Sequence, residues 1–118
     1  MQKILIIVNA PPYGSERCLS ALRLATALVA HVGEQPEVSL FLMSDATVVG
    51  LPNQVDAIGN GLQGMIEQLV KEHVSIKLCR TCALARGLAD LPLIPGVSIG
   101  TLPELAEWTL AADKIITF

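Results

Sequence analysis

Nearly continuous apolar segments alternate along this chain with segments of helical periodicity. Lys3–Val8 and residues 38–43 are short runs dominated by Ile, Leu, Val and Phe, which is typical of strands buried on both faces of a parallel sheet. Residues 16–31 and Leu62–Lys71 carry their apolar residues at helical spacing instead. This β-α-β-α order predicts an α/β fold, a three-layer α/β/α sandwich built on a mainly parallel sheet of about five strands.

The second half of the chain continues the same alternation. Thr101 and Glu104 form a capping-box pattern with Pro103 in the first turn, so we expect a helix to begin there and to run to about Ala111. Residues 51–61 are polar and contain glycine, and we expect a mobile loop there. The remaining strands are predicted at residues 74–78, 97–99 and 114–118.

The composition restricts the classes of protein that the chain can represent. Its 118 residues suit one compact domain, taken as residues 1–118. The longest apolar stretch, residues 19–32, is interrupted by Arg23 and His31 and is shorter than the roughly 20 apolar residues of a membrane span. The first residues lack the cleavage site of a signal peptide, so we expect a cytoplasmic protein without a membrane association.

Charge and hydrophobicity indicate which partners to expect. The formal net charge is -3 and no cluster of Lys or Arg occurs, which disfavours nucleic acid as a partner. Hydrophobic residues make up 52% of the chain and charged residues only 16%. Large exposed apolar patches are rare on monomers, so we expect a homo-oligomer that hides the excess apolar surface.

A pair of cysteines, Cys79 and Cys82, is the sharpest chemical feature of the sequence. The pair follows a predicted strand and opens a predicted short helix that ends before Gly87. A thiol at a helix N-terminus sees the positive end of the helix dipole, and Arg80 and Arg86 add positive potential, so we expect a Cys79 thiolate suited to thiol exchange or to holding a persulfide.

Other interpretations of the cysteine pair stay open at this point. Cysteine is often a small buried hydrophobic residue without a chemical role. A structural zinc site needs four ligands, and the candidates beside the pair, Cys18, His31 and His73, lie at unsuitable places, so no metal and no cofactor is predicted. A redox-active dithiol of Cys79 and Cys82 is a further alternative; in the persulfide interpretation, Cys82 either resolves the persulfide into a disulfide or has no role.

The loop at residues 9–15 follows the first predicted strand, and ligand sites of parallel sheets lie beyond the carboxyl ends of strands. Its residues Tyr13, Gly14 and Ser15 could bind an anion or line a pocket. The simpler interpretation is a rigid turn in which Ser15 caps the following helix.

Segments spread over almost the whole chain resemble the DsrE/DsrF-like family, most closely its YchN-like members. They are residues 1–4, 12–16, 40–46, 77–82, 86–87, 100–102, 105–110 and 112–114. The resemblance implies a three-layer α/β/α fold and oligomers, often hexamers. It also implies that sulfane sulfur passes from a protein donor to a protein acceptor through a cysteine persulfide.

The resemblance assigns the sulfur-acceptor role to Cys79, which stands eight residues before the glycine of the Arg86–Gly87 pair. Cys82 departs from the pattern of the characterised members, which have another residue at that place. A sulfur carrier of the sulfurtransferase type is therefore the leading hypothesis. The alternative is a non-catalytic oligomeric binding or scaffold protein, in which Cys79 has no chemical role.

Overall fold

Five strands, four α-helices and one 3₁₀ helix make up the computed structural model, which describes residues 1–57 and 59–118. The strands are β1 (Lys3–Val8), β2 (Glu37–Leu42), β3 (Ser75–Cys79), β4 (Val97–Gly100) and β5 (Lys114–Thr117). The helices are α1 (Arg17–Val29), α2 (Leu62–Lys71), α3 (Arg80–Ala85) and α4 (Leu102–Ala111), and the 3₁₀ helix spans Ser44–Gly50. The loop expected at residues 51–61 is described except at residue 58, which lies outside the described residues.

The strands form one sheet in the order β4-β3-β2-β1-β5, and every neighbouring pair is parallel. The predicted α/β fold with a parallel sheet of about five strands is thus confirmed. All carboxyl ends of the strands meet at one edge of the sheet, so the segments that follow β1, β2 and β3 lie beside one another there.

Alternation along the strands separates two apolar layers. Side chains at Ile4, Ile6, Leu40 and Leu78 face the main core under α1 and α2, where Leu22 of α1 and Ile66 and Leu69 of α2 are buried. The opposite face carries a smaller buried cluster, which we call the α4 cluster: Leu5, Phe41, Cys79 and Leu105. The three layers predicted from the sequence are therefore present, but in the part of the chain that the structure describes the second layer of helices consists of α4 alone.

Helix α4 is fixed at its start by the capping box that the sequence predicts. Thr101 accepts a hydrogen bond from the Glu104 backbone N–H, and the Glu104 carboxylate accepts one from the Thr101 backbone N–H at 2.9 Å. Trp108 packs edge-on against Phe41 with the ring centroids 5.8 Å apart. One ten-residue helix cannot cover five strands, and Leu102, Leu110 and Ile115 remain exposed around this face.

The predicted cap of α1 is wrong in its detail. The helix begins at Arg17, so the capping position is Glu16 and not Ser15. Ser15 therefore lies one residue too early to accept the backbone N–H bonds of the first turn that a capping side chain normally accepts. Its hydroxyl oxygen instead accepts a long hydrogen bond of 3.3 Å from the Arg17 backbone N–H. The helix also ends at Val29, two residues before the predicted end.

Among the described residues, no helix combines the length and the apolar character that crossing a membrane requires.

Candidate functional site

Cys79 is the last residue of β3, and α3 begins at the next residue. The sequence predicts it just beyond the strand, but it still pairs in register with Gly100 of β4. Its side chain belongs to the α4 cluster, with Phe41 of β2 and Leu105 of α4. A Cβ atom at Gly100 would lie 3.0 Å from the aromatic ring of Phe41, so the absence of a side chain there lets this cluster close over the end of β3.

The Cys79 thiol is enclosed rather than presented to solvent. The residue is only 4% exposed, and burial raises the pKa of its thiol above the ordinary value of 9.0. The neighbouring Cys82 thiol raises the pKa further, whereas the backbone N–H groups of Cys82 and Thr81 lower it in part. The expected thiolate at neutral pH is therefore wrong for this state of the protein, because desolvation outweighs the favourable backbone groups at the start of a six-residue helix.

Cys82 lies beside Cys79 but in a more open environment. It is the third residue of α3 and packs beside Cys79 at the edge of the α4 cluster while remaining partly exposed. The next residue, Ala83, is buried in the main core, so α3 straddles the edge of the sheet and turns Cys82 towards the second face. Both cysteines are free thiols.

Arg86 does not serve as the positive neighbour of Cys79 that the sequence suggests. Its guanidinium forms an ion pair with Asp45 at 2.9 Å, donates to the Cys82 carbonyl oxygen at 3.1 Å and reaches the Ser44 hydroxyl at 3.4 Å. The side chain thus ties the start of the 3₁₀ helix to the end of α3. Asp45, in the first turn of the 3₁₀ helix, is one half of this clamp.

Arg80 lies in the first position of α3 and is exposed to solvent. Its charge faces water, which screens it from the enclosed thiol of Cys79. Neither arginine therefore offsets the desolvation of that thiol in the manner expected from the sequence.

Lys77 is a charged residue of the site that sequence reasoning missed. It stands two residues before Cys79 on the same face of β3, forms an ion pair with Glu104 of α4, and holds its ammonium nitrogen 5.5 Å from the centroid of the Trp108 ring. The Lys77 hydrogen bond lowers the pKa of the Glu104 carboxyl group, and the Thr101 backbone N–H adds to the effect. The alternating pattern of β3 was the available signal, because it places Lys77 and Cys79 on one face.

The Tyr13, Gly14 and Ser15 loop forms a separate cavity. This space of about 630 Å³ is lined by the loop together with Leu19 of α1 and Asp56, among others, and its described lining contains no cysteine. Tyr13 donates a hydrogen bond of 2.9 Å to the Gln54 side chain. The structure therefore does not bring this predicted pocket loop together with the cysteine pair.

The residues considered for zinc also lie apart. Cys18 is fully buried in the main core, where burial raises the pKa of its thiol to about 11, while His31 and His73 are exposed. Within residues 1–57 and 59–118, no three His, Cys, Asp or Glu side chains lie close enough together to hold a metal ion.

Comparison with known proteins places this site in a wider context. The profile of the DsrE/DsrF-like family matches residues 2–118. The protein YchN of Escherichia coli is 52% identical over 118 residues, all of both chains, and its crystal structure superposes with a TM-score of 0.94 over the whole of both chains. The sulfurtransferase TusD of Pectobacterium atrosepticum is 32% identical over 133 aligned positions that cover all of both chains.

Proposed function

Because this chain belongs to the DsrE/DsrF-like family, we propose that it is a sulfur-relay protein that accepts sulfane sulfur as a persulfide on Cys79 and passes it to another protein. The observation that carries the proposal is the position of Cys79, a free thiol at the carboxyl end of a central parallel strand with a second thiol beside it. The full-length likeness to a protein named as a sulfurtransferase supports the same class of chemistry.

The transfer itself needs no cofactor. The sulfur of Cys79, after loss of its proton, attacks the terminal sulfur of a donor persulfide. The sulfur–sulfur bond of the donor breaks, and the donor leaves as a thiol that takes up the proton released by Cys79. The onward step repeats this exchange with an acceptor thiol attacking the terminal sulfur on Cys79. Enclosure by Phe41 and Leu105 favours such a carrier, because it keeps water and stray thiols from the bound sulfur.

A relay implies protein partners, a donor and an acceptor of sulfur, and we propose that both act in the cytoplasm. Free thiols persist there because the compartment is reducing. We also propose that the chain works as a homo-oligomer, a hexamer by analogy with the family. The second face of the sheet supports this, because α4 leaves Leu102, Leu110 and Ile115 exposed around it.

Intact-mass spectrometry tests the sulfur-carrier function. The wild-type protein, kept in its native oligomeric state, is incubated with a protein persulfide donor and compared with Cys79→Ser and with Thr81→Ser, an exposed neighbour that serves as the matched control. We expect sulfur that persists after removal of the donor on the wild type and on Thr81→Ser, whereas any sulfur taken up by Cys79→Ser should be lost once the donor is removed. Absence of added sulfur from the wild type at every donor concentration would eliminate the sulfur-carrier function.

The same features allow one other function, a non-catalytic oligomeric scaffold. The burial of Cys79 and the exposed apolar residues around α4 favour it. In that case Cys79→Ser would leave both the oligomer and its binding to partner proteins intact, and the wild type would take up no sulfur.

A further inference from the structure

The two thiols of the pair differ in their access to a donor protein. Cys79 is 4% exposed beneath Phe41 and Leu105, whereas Cys82 is partly exposed at the rim of the same cluster. Sulfur transfer requires the attacking sulfur, the transferred sulfur and the departing sulfur to approach one line. The partly exposed Cys82 thiol is open to such an approach by a donor protein, whereas the 4% exposure of Cys79 restricts a direct approach to its sulfur.

The positions of Cys79 and Cys82 at the start of α3 suit a transfer of sulfur from one side chain to the other. Cys79 immediately precedes α3 and Cys82 is the third residue of that helix, so the two side chains emerge on one side of its first turn. Both side chains pack in the α4 cluster, and the Cys82 thiol is near enough to raise the pKa of the Cys79 thiol. The two side chains therefore lie close enough together for sulfur to be exchanged between them.

We propose that Cys82 receives sulfur from the donor and that Cys79 stores it. This inference rests on the proposed sulfur-relay function and replaces its direct exchange at Cys79 with two steps through Cys82, which run in reverse when an acceptor thiol takes the sulfur. In the first step the Cys82 sulfur attacks the terminal sulfur of the donor persulfide, the donor's sulfur–sulfur bond breaks, and the donor departs as a thiol that takes up the proton of the Cys82 thiol. In the second step the Cys79 sulfur attacks the terminal sulfur on Cys82, the sulfur–sulfur bond of Cys82 breaks, and the proton of the Cys79 thiol moves to the departing Cys82 sulfur. The oxidation level of the pair is the same before and after this second step.

Arg86 anchors the backbone that carries the receiving thiol. Its guanidinium donates to the Cys82 carbonyl oxygen while it is paired with Asp45, so the backbone that carries Cys82 is anchored to the 3₁₀ helix. This contact fixes the backbone position from which the Cys82 side chain extends beside Cys79.

Trypsin separates the thiols of this chain, which makes the order of loading measurable. Cleavage after Arg17, Lys77 and Arg80 puts each cysteine on its own peptide, residues 18–23, 78–80 and 81–86. The oligomeric protein is mixed with glutathione persulfide, quenched with an alkylating reagent at increasing times and digested. We expect added sulfur first on the peptide of Cys82 and later on that of Cys79, with the buried Cys18 unlabelled as the internal control.

Two variants isolate the steps. Cys79→Ser should load Cys82 at the wild-type rate and fail to move the sulfur on. Cys82→Ser should load Cys79 about tenfold or more slowly, because the only remaining acceptor is enclosed. Thr81→Ser is the matched control and should follow the wild type, and thermal unfolding of each variant checks that it is folded.

Distinct results would overturn the inference. Loading of Cys79 in Cys82→Ser at the wild-type rate would remove the receiving role of Cys82 and leave the sulfur-relay function standing. A Cys79–Cys82 disulfide formed with release of one hydrosulfide per chain would show that Cys82 resolves the persulfide instead of passing it on. Sulfur on neither peptide would refute the relay function itself.

Discussion

Truncation of Leu105 to alanine should both destabilise the protein and expose the Cys79 thiol. Leu105 is 9% exposed and is the residue through which α4 completes the cluster with Leu5, Phe41 and Cys79. Removal of a buried leucine side chain costs about 2–5 kcal/mol, depending on how well the surroundings close the space. Only one helix covers this cluster and water can enter the space from its open side, so we expect the lower part of that range, about 2–3 kcal/mol.

Two assays follow this substitution. Urea unfolding at one fixed protein concentration gives the free energy of unfolding, and the fluorescence of Trp108, the only tryptophan, reports on α4. Alkylation of the native protein, resolved on the tryptic peptide of residues 78–80, gives the reactivity of Cys79, which should rise. Leu84→Ala is the matched control, since Leu84 is 55% exposed on α3 and should cost about 1 kcal/mol or less. Equal losses of stability in the two variants, or unchanged alkylation of Cys79 in Leu105→Ala, would refute the enclosure of Cys79 by α4.

Three further substitutions probe the contacts around the site. Glu104→Gln should lower the stability at neutral pH, because the pKa of Glu104 is lowered in the folded state. Thermal unfolding across pH should show the full loss of stability above the ordinary pKa of 4.5 and a vanishing loss as the pH falls below it. A loss of stability that grows towards low pH would contradict this sign. Arg86→Lys should lose the forked contact with Asp45 and lower the free energy of unfolding by about 1 kcal/mol. Amide hydrogen exchange should become faster in residues 44–50 and 80–85, and unchanged exchange in both segments would show that the clamp does not hold them. Gly100→Ala should lower the free energy of unfolding in urea by about 1–3 kcal/mol, because the added methyl group would lie 3.0 Å from Phe41 and Lys77. An unchanged free energy of unfolding would mean that the neighbouring side chains move aside without cost.

Local sequence patterns were sufficient for most of the fold. Helix α2 has the predicted bounds, Leu62–Lys71, because its apolar spacing matches one buried face. The capping box of Thr101 and Glu104 placed the start of α4, since the side chain and the backbone groups that it bonds are three residues apart. Strands such as β1 were recognisable because both of their faces are apolar, which is the condition of a strand inside a parallel sheet.

The environment of Cys79 could not be predicted in the same way. Its enclosure depends on α4, which begins more than twenty residues later and folds back over β3. The ion pairs of Lys77 with Glu104 and of Arg86 with Asp45 join residues 27 and 41 positions apart, respectively, so no local pattern announces them. An N-terminal position in a helix indicated a thiolate, and only the packing of the second face shows that desolvation has the larger effect on the pKa.

The location of bound sulfur after saturation with a persulfide donor tests the central claim most directly. The native protein is loaded to completion, alkylated and digested with trypsin, and the sulfur on the three cysteine peptides is quantified by mass. We predict that the added sulfur resides on the peptide of residues 78–80, which contains Cys79, and that an acceptor thiol then removes it. Saturated protein that carries no sulfur on that peptide would contradict the assignment of Cys79 as the carrier.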